Sequence, residues 1–277
     1  MDSEPPPPPR ADQPAAVVTG AARGIGRAIA AELVRRDYAV VVSDVDGEAA
    51  RRTATEIGAA AGVAQDVRDE AGHHAVATEA NRHGRLRVWV NNAGVGFDGR
   101  IADQPSDQVS ALVDINLTGV VWGCRAAVAA MPSGGEILNI ASLSAHGPVP
   151  GLSVYAATKA AVVSLTGSLD SELRGRGLRV HAICPDGVDT QLVTSMDPEG
   201  QGSALVHSGG RLLTTAEIGR AAVDLLGTHR VVRTVPAWRG GMMRLTAAAP
   251  GVMMRLEPVL RFQGRRRMRK AARSRRH

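Results

Sequence analysis

The chain has 277 residues, 44% of them hydrophobic and only 3% aromatic, enough to bury a full core in one α/β domain with extensions. Its net charge of +6 is unevenly spread: from Arg255 to His277 ten Arg/Lys face one acid, Glu257, so that stretch carries +9 and the rest sums to −3. The slightly acidic body argues against a nucleic-acid protein, and no uncharged apolar run approaches the ~18 residues of a membrane span. Cys124 and Cys184 sit in apolar segments without metal-ligand spacing, which points to a reduced, cytoplasmic setting with no metal.

Residues 1–13, with Asp2, Glu4 and the run Pro5 to Pro9, lack the basic and apolar regions of a secretory signal and read as a stiff, disordered leader. Ala15 to Val18 is a short apolar strand. It runs into Thr19-Gly20-Ala21-Ala22-Arg23-Gly24-Ile25-Gly26, after which Ala28 to Arg36 has helical composition. Strand, glycine turn and helix in that order suit a pyrophosphate, because glycines let backbone approach it and the helix N-terminus offers free N–H groups. A second strand, Ala39 to Val42, ends at Asp44, placed to accept hydrogen bonds from an adenosine ribose and to repel a 2′-phosphate, which favours NAD over NADP. Arg23 and Arg27 argue the other way, since a cation there can pair with the phosphate.

A helix over 47–57, a strand over 62–64 ending at Asp66-Val67, and a helix over 69–83 follow. The three histidines of that last helix, at 73, 74 and 83, read as a polar face rather than a metal site. Arg87 to Val90 is a fourth strand, closed by Asn91-Asn92-Ala93-Gly94, whose asparagines can bind backbone at the crevice. One helix is expected over 106–129, carrying Asn116 among apolar neighbours. A strand over 136–140 delivers Ser142, and another over 178–183 ends in Cys184-Pro185-Asp186-Gly187-Val188-Asp189-Thr190. Gln191 to Leu213 shows little pattern and reads as a mobile lid, before a helix over 215–226 and a last strand over 231–235.

Tyr155 and Lys159 lie four residues apart in a run, 153–173, of helical character, which puts phenol and ammonium on one face. Making a tyrosine useful near neutral pH takes ~3 units, roughly 4 kcal/mol. A cation ~4 Å away at an effective dielectric of ~20 supplies about that much. The chain has only one other lysine, Lys270.

With the glycine turn, Asp44, Asn91 to Gly94, Asn116, Ser142, Tyr155 and Lys159 in order, residues 14 to 240 resemble the classical short-chain dehydrogenases/reductases. The resemblance implies a Rossmann-like, doubly wound parallel sheet of about seven strands, assembled as a homodimer or homotetramer. It further implies Tyr155 as general acid/base, Ser142 polarising the substrate oxygen, Lys159 binding the nicotinamide ribose and lowering the tyrosine pKa, and Asn116 holding a relay water. Thr19 to Gly26 would bind the pyrophosphate, Asp66-Val67 the adenine, and Val188 and Thr190 the carboxamide; Asn92, Ala93, Gly94, Pro185 and Gly187 complete the expected NAD(H) site. The expected substrate is a small-molecule alcohol or ketone, and His146, Pro148, Val149, Pro150 and Leu152 suggest an apolar wall and hence a lipophilic one. The rival reading is a non-catalytic dinucleotide-binding protein that docks a partner or nucleic acid through its tail.

Two features depart from the family pattern. Asp186 stands where a glycine is usual, and residues 241–277 extend the chain as a basic amphipathic segment. Its stripe of Val252, Leu256, Val259 and Leu260, interrupted by Pro258, suits an anionic membrane surface engaged through 243–277, hence peripheral attachment.

Overall fold

The structure, a computed structural model, describes residues 13–132, 134–248 and 250–274, and leaves undescribed the side chains at 250, 252–254, 256, 257 and 270–274. The expected leader thus lies outside the described residues except for Gln13. The strands are β1 (Pro14–Thr19), β2 (Ala39–Asp44), β3 (Ala61–Ala64), β4 (Arg85–Asn91), β5 (Gly135–Ile140), β6 (Leu178–Pro185) and β7 (Val232–Val235); the central ones are largely buried apolar runs, while the edge strands β3 and β7 are mostly half-exposed. They form one parallel sheet in the order β3-β2-β1-β4-β5-β6-β7. This is the doubly wound, Rossmann-like sheet, with the order reversing between β1 and β4, where ligands lie in such folds.

The alternation along each strand divides the core in two. Ala15, Val17 and Val41 pack with Val76 and Ala80 of α3 (Glu70–His83), Val120 of α5 (Gly119–Ala130) and Val162 of α6 (Ser153–Leu173). On the other face Ala16, Val18 and Val40 pack with Ile29 and Leu33 of α1 (Gly24–Val34), Ala50 of α2 (Gly47–Ile57) and Ile218 of α9 (Thr215–Val223).

The helix expected over 106–129 is three pieces: α4 (Ser106–Val113), a π-helical turn over Asp114–Thr118, and α5. The extra residue of a π turn shifts side-chain direction mid-helix, and such turns recur at functional sites. By length and composition Ser106–Ala130 would suit a bilayer, yet it is a core helix here, packed against α3, β4 and α6.

The expected lid is not patternless. It contains α7 (Gln191–Thr194), α8 (Gln201–Val206) and a 3₁₀ turn at His207–Gly209. Asp98, about a hundred positions away, holds the start of α8 by accepting from the N–H groups of Gly202 (3.2 Å) and Ser203 (2.9 Å). Nor does the chain break after residue 240, because α10 (Ala237–Ala248) spans that point and packs on β7 and the turn after β5. It leads to α11 (Pro250–Ser274), which lies on α8 and the 3₁₀ turn. Pro258 does not interrupt α11: it is exposed, so the carbonyl four residues earlier that it leaves without an N–H can turn to water. Of the expected apolar stripe, the side chains of Val252 and Leu256 lie outside those described, Val259 is exposed and Leu260 lines the central cavity.

Candidate active site

The glycine turn is specified by what stands against it. Gly20 and Gly24 have φ of 60° and 61°, and a Cβ at Gly20 would lie 2.6 Å from Ala93 Cα. A Cβ at Gly26 would lie 2.4 Å from Asn92 Nδ2. Asn92 Nδ2 donates to the carbonyls of Thr19 and Gly20, both at 2.9 Å, while Thr19 Oγ1 accepts from the N–H groups of Asn92 and Ala93, both at 3.1 Å. The turn after β1 and the turn after β4 are therefore stitched together across the point where strand order reverses. Arg23, at the N-cap of α1, offers no side-chain cap, so the first-turn N–H groups remain open to an anion. This cradle, closed to a Cβ at Gly20 and Gly26 and open in N–H groups, fits the pyrophosphate of a dinucleotide.

At the end of β2, Asp44 accepts from the N–H groups of Ala22 (3.1 Å) and Asp46 (3.2 Å) and lines the cavity. Arg27 faces away, paired with Glu56 at 3.0 Å, so only Arg23 of the two expected cations lines the cavity. Beyond β3, Asp66 is held below the usual carboxylate range by Arg68. Its neighbour Gln65 accepts from Ser43 Oγ at 2.6 Å, while the buried Gln65 Nε2 has no protein partner. His73 is fully buried, contrary to the polar face expected of α3. Its Nε2 donates to the Val67 carbonyl at 2.9 Å, bracing the Asp66-Val67 turn, and burial pushes its pKa down. Among the described residues no group of His, Cys, Asp and Glu could hold a metal.

Two residues beyond β5, Ser142 Oγ accepts from the Ser144 N–H at 3.2 Å, and its hydroxyl acts to lower the pKa of the Tyr155 phenol. One helical turn on, Lys159 is 4% exposed; its Nζ donates to the Ile140 carbonyl at 2.9 Å and stands 5.7 Å from the Tyr155 ring centre. The expectation that Lys159 lowers the tyrosine pKa is not met. Burial raises the Tyr155 pKa, opposed by the Ser142 hydrogen bond, and burial pushes Lys159 itself down to about 8. The ammonium donates to the Ile140 carbonyl and carries its own desolvation cost.

Asn116 sits in the π turn, fully buried. Its Oδ1 accepts from the Val95 N–H at 2.8 Å and its Nδ2 donates to the Val95 carbonyl at 2.9 Å. The side chain is a brace for the 94–95 turn beside Lys159 and does not reach the cavity. Thr19 and Gly26 likewise stand behind the wall. The other expected residues, from Gly20, Gly24, Ile25 and Val67 through Ala93, Gly94, Ser142, Tyr155 and Lys159 to Pro185, Gly187, Val188 and Thr190, line a single cavity of about 860 Å³.

A model of the short chain dehydrogenase family matches residues 14–200, on the same stretch that carries the glycine turn and the Ser142, Tyr155 and Lys159 group. The chain is a classical short-chain dehydrogenase/reductase. A probable oxidoreductase EphD of Mycobacterium tuberculosis is 38% identical over 186 residues; the match covers 64% of this chain but 31% of that protein, so the chain spans about a third of its length. Sorbitol dehydrogenase of Cereibacter sphaeroides is 38% identical over 232 residues, 79% of this chain and 89% of that one. A short-chain dehydrogenase/reductase from Burkholderia phymatum, solved in complex with NAD, superposes with a TM-score of 0.78 at 27% identity, over 87% of this chain and 95% of that one.

Among the lining residues that the sequence did not single out as part of the site are Arg239, Met242 and Met243 of α10. Arg239 of α10 donates to Asp186 Oδ2 at 2.8 Å, with only 7% and 11% of the two side chains exposed. The sole signal was Asp186 itself, an unexpected carboxylate that needs a partner if buried. Met242 and Met243, on the same helix, gave none.

Proposed function

We propose that this dehydrogenase/reductase interconverts a secondary or primary alcohol and its carbonyl with NAD(H), on a hydrophobic substrate. The observation that carries the reading is that Ser142, Tyr155 and Lys159 meet in the same cavity as the glycine cradle. In this reading the Thr19–Gly26 turn holds the pyrophosphate, Asp44 the adenosine ribose, Asp66 and Val67 the adenine, Lys159 the second ribose, and Val188 and Thr190 the carboxamide. When bound, the dinucleotide supplies or accepts the hydride. Tyr155 gives the proton to the substrate oxygen in reduction and takes it in oxidation. Ser142, which favours the ionised form of that phenol, would also donate to the substrate oxygen as charge develops there. Lys159, with a pKa brought to about 8, can return a proton near neutral pH. Asn116 supports the relay by fixing the 94–95 turn. Asp44, and the commitment of Arg27 to Glu56, favour NAD(H) over NADP(H).

The test is incubation with NADH or NADPH and a broad ketone panel, read at the nicotinamide absorbance. Consumption of NADH with some ketones supports the reading. Tight NADH binding without turnover on any ketone would support the non-catalytic alternative, and preference for NADPH would give the choice to Arg23.

A second reading concerns the partner. Val259 and Phe262 of α11 are 52% and 69% exposed, flanked by exposed Arg255, Arg266 and Arg269 along the same face. That pattern favours reversible attachment of a cytoplasmic enzyme to anionic lipid. Salt-sensitive co-sedimentation with anionic but not neutral vesicles is expected, and loss of it in Phe262→Glu. Assembly as a homodimer or homotetramer belongs to the same proposal and is read by light scattering.

A further inference from the structure

The substrate end of the cavity is closed by the part of the chain that follows the sheet. Arg239, Met242, Met243 and Thr246 of α10 and Leu260 of α11 line it. These helices approach the catalytic body more closely than side chains allow. A Cβ at Gly240 of α10 would lie 2.7 Å from Thr234 Cβ, and at Gly264 of α11 1.9 Å from the Ala204 carbonyl oxygen; in the 3₁₀ turn under them, a Cβ at Gly209 would lie 2.4 Å from Asp186 Oδ2 and 3.1 Å from Arg239 Nε. Beside the catalytic turn, a Cβ at Gly147 would meet Met243 Cε and Thr246 Oγ1 at 3.2 Å.

Polar contacts fasten what the glycines let in. Arg239 bonds Asp186 through Nε and reaches Ser208 Oγ through Nη2 at 3.4 Å. From α11, Arg267 donates to the Ser208 carbonyl and Met268 Sδ accepts from Ser203 Oγ at 3.5 Å. Asp186, Ser208 and the two helices are thus one latched unit. A carboxylate in place of the usual glycine, buried next to the catalytic pocket, is tolerable because Arg239 neutralises it, and separating two such buried charges is strongly unfavourable.

We infer that α10 and α11, latched by the Asp186–Arg239 pair, are the substrate-selecting wall of this enzyme, and that they select an elongated apolar ketone or secondary alcohol lying along Met242, Met243 and Leu260. The inference rests on the alcohol–carbonyl reading above. It follows from the chemistry of the wall. Its two ionised groups cancel, so it offers no net charge to an acidic or basic substrate. Apart from Thr246, whose hydroxyl is committed to the Met243 carbonyl, its remaining surface is two thioethers and a leucine, and methionine adapts its shape to irregular apolar chains. The truncation of 243–277 that a detached tail would tolerate is not tolerated here, since it removes three of the lining residues.

The test uses the full chain with NADH and two methyl ketones, butanone and dodecanone. Leu260→Trp and Met242→Trp, one on each helix, fill the wall. Each is expected to lower the ratio of kcat/KM for dodecanone over butanone by roughly tenfold or more, since single methylene groups in an apolar pocket discriminate by that order. Dodecanone binding by calorimetry should weaken in parallel. An unchanged ratio in both variants, with NADH bound as in the parent, overturns the assignment. If the parent reduces neither ketone yet binds dodecanone, and the variants weaken that binding, the wall stands and the reductase reading falls. If the parent neither reduces nor binds dodecanone, both fall.

Discussion

Replacing Lys159 with Met is expected to stabilise the ligand-free protein near neutral pH while abolishing turnover. The lysine is 4% exposed, and burial takes its pKa from the ordinary 10.5 to about 8. At ~1.36 kcal/mol per unit, that shift is a destabilisation of roughly 3 kcal/mol. Losing the hydrogen bond to the Ile140 carbonyl takes back about 1 kcal/mol, leaving a net gain of ~2 kcal/mol. For a chain of this size the gain raises Tm by roughly 4–8 °C. The pH dependence has a definite sign. The folded state gives up this proton at about 8 and the unfolded state at 10.5, so the unfolded state binds more protons between the two values. The parent's stability therefore rises with pH across that window, and the parent and variant converge through it. Melting curves of both proteins from pH ~6 to ~10, with turnover measured alongside, make the comparison. A variant no more stable than the parent near pH ~7, with a gap that does not change up to pH ~10, would refute the reasoning.

Three further outcomes follow from the same geometry. Gly20→Ala should lose NADH binding and melt at lower temperature, because its φ of 60° and the 2.6 Å approach to Ala93 Cα leave no room for a methyl group; retained NADH quenching would count against the cradle. Asp44→Ala should weaken NAD(H) by a decade or more in a titration and narrow the preference against NADPH, from lost charged-acceptor hydrogen bonds worth ~1.5–3 kcal/mol each. Arg239→Met, which leaves Asp186 buried without its partner, should cost about 3–5 kcal/mol in a denaturant melt, and the double change Asp186→Leu/Arg239→Met much less; equal costs would show that the pair is not coupled.

What the sequence made legible is what neighbours in sequence determine. The apolar run Ala15 to Val18 marked a core strand, the four-residue step from Tyr155 to Lys159 put both in one cavity, and the Thr19–Gly26 turn announced its own backbone. What stayed hidden depends on partners far along the chain. The lid has helices because Asp98 holds α8. Asp186 meets Arg239 from 53 positions away, and without that pair the last helices read as a loose basic tail. Asn116 and His73 were placed on the right elements, but their brace contacts to Val95 and Val67 depend on a π turn and on burial, neither visible in composition. The charge argument for Lys159 counted Coulomb attraction alone, whereas in the ligand-free protein desolvation is the first cause of the Tyr155 shift and raises it.

The central claim, that hydride passes between a nicotinamide and a carbonyl carbon while Tyr155 handles the proton, is tested most directly by isotope transfer. The parent and Tyr155→Phe would be incubated with NADH carrying deuterium at C4 and with ketones from the panel, and the alcohols analysed by mass spectrometry and NMR. The account predicts one deuterium on the carbinol carbon with the parent, and a rate lower by ~10²-fold or more with Tyr155→Phe, which still binds NADH. Absence of deuterium transfer to any ketone, or transfer by Tyr155→Phe at nearly the parent's rate, would contradict it.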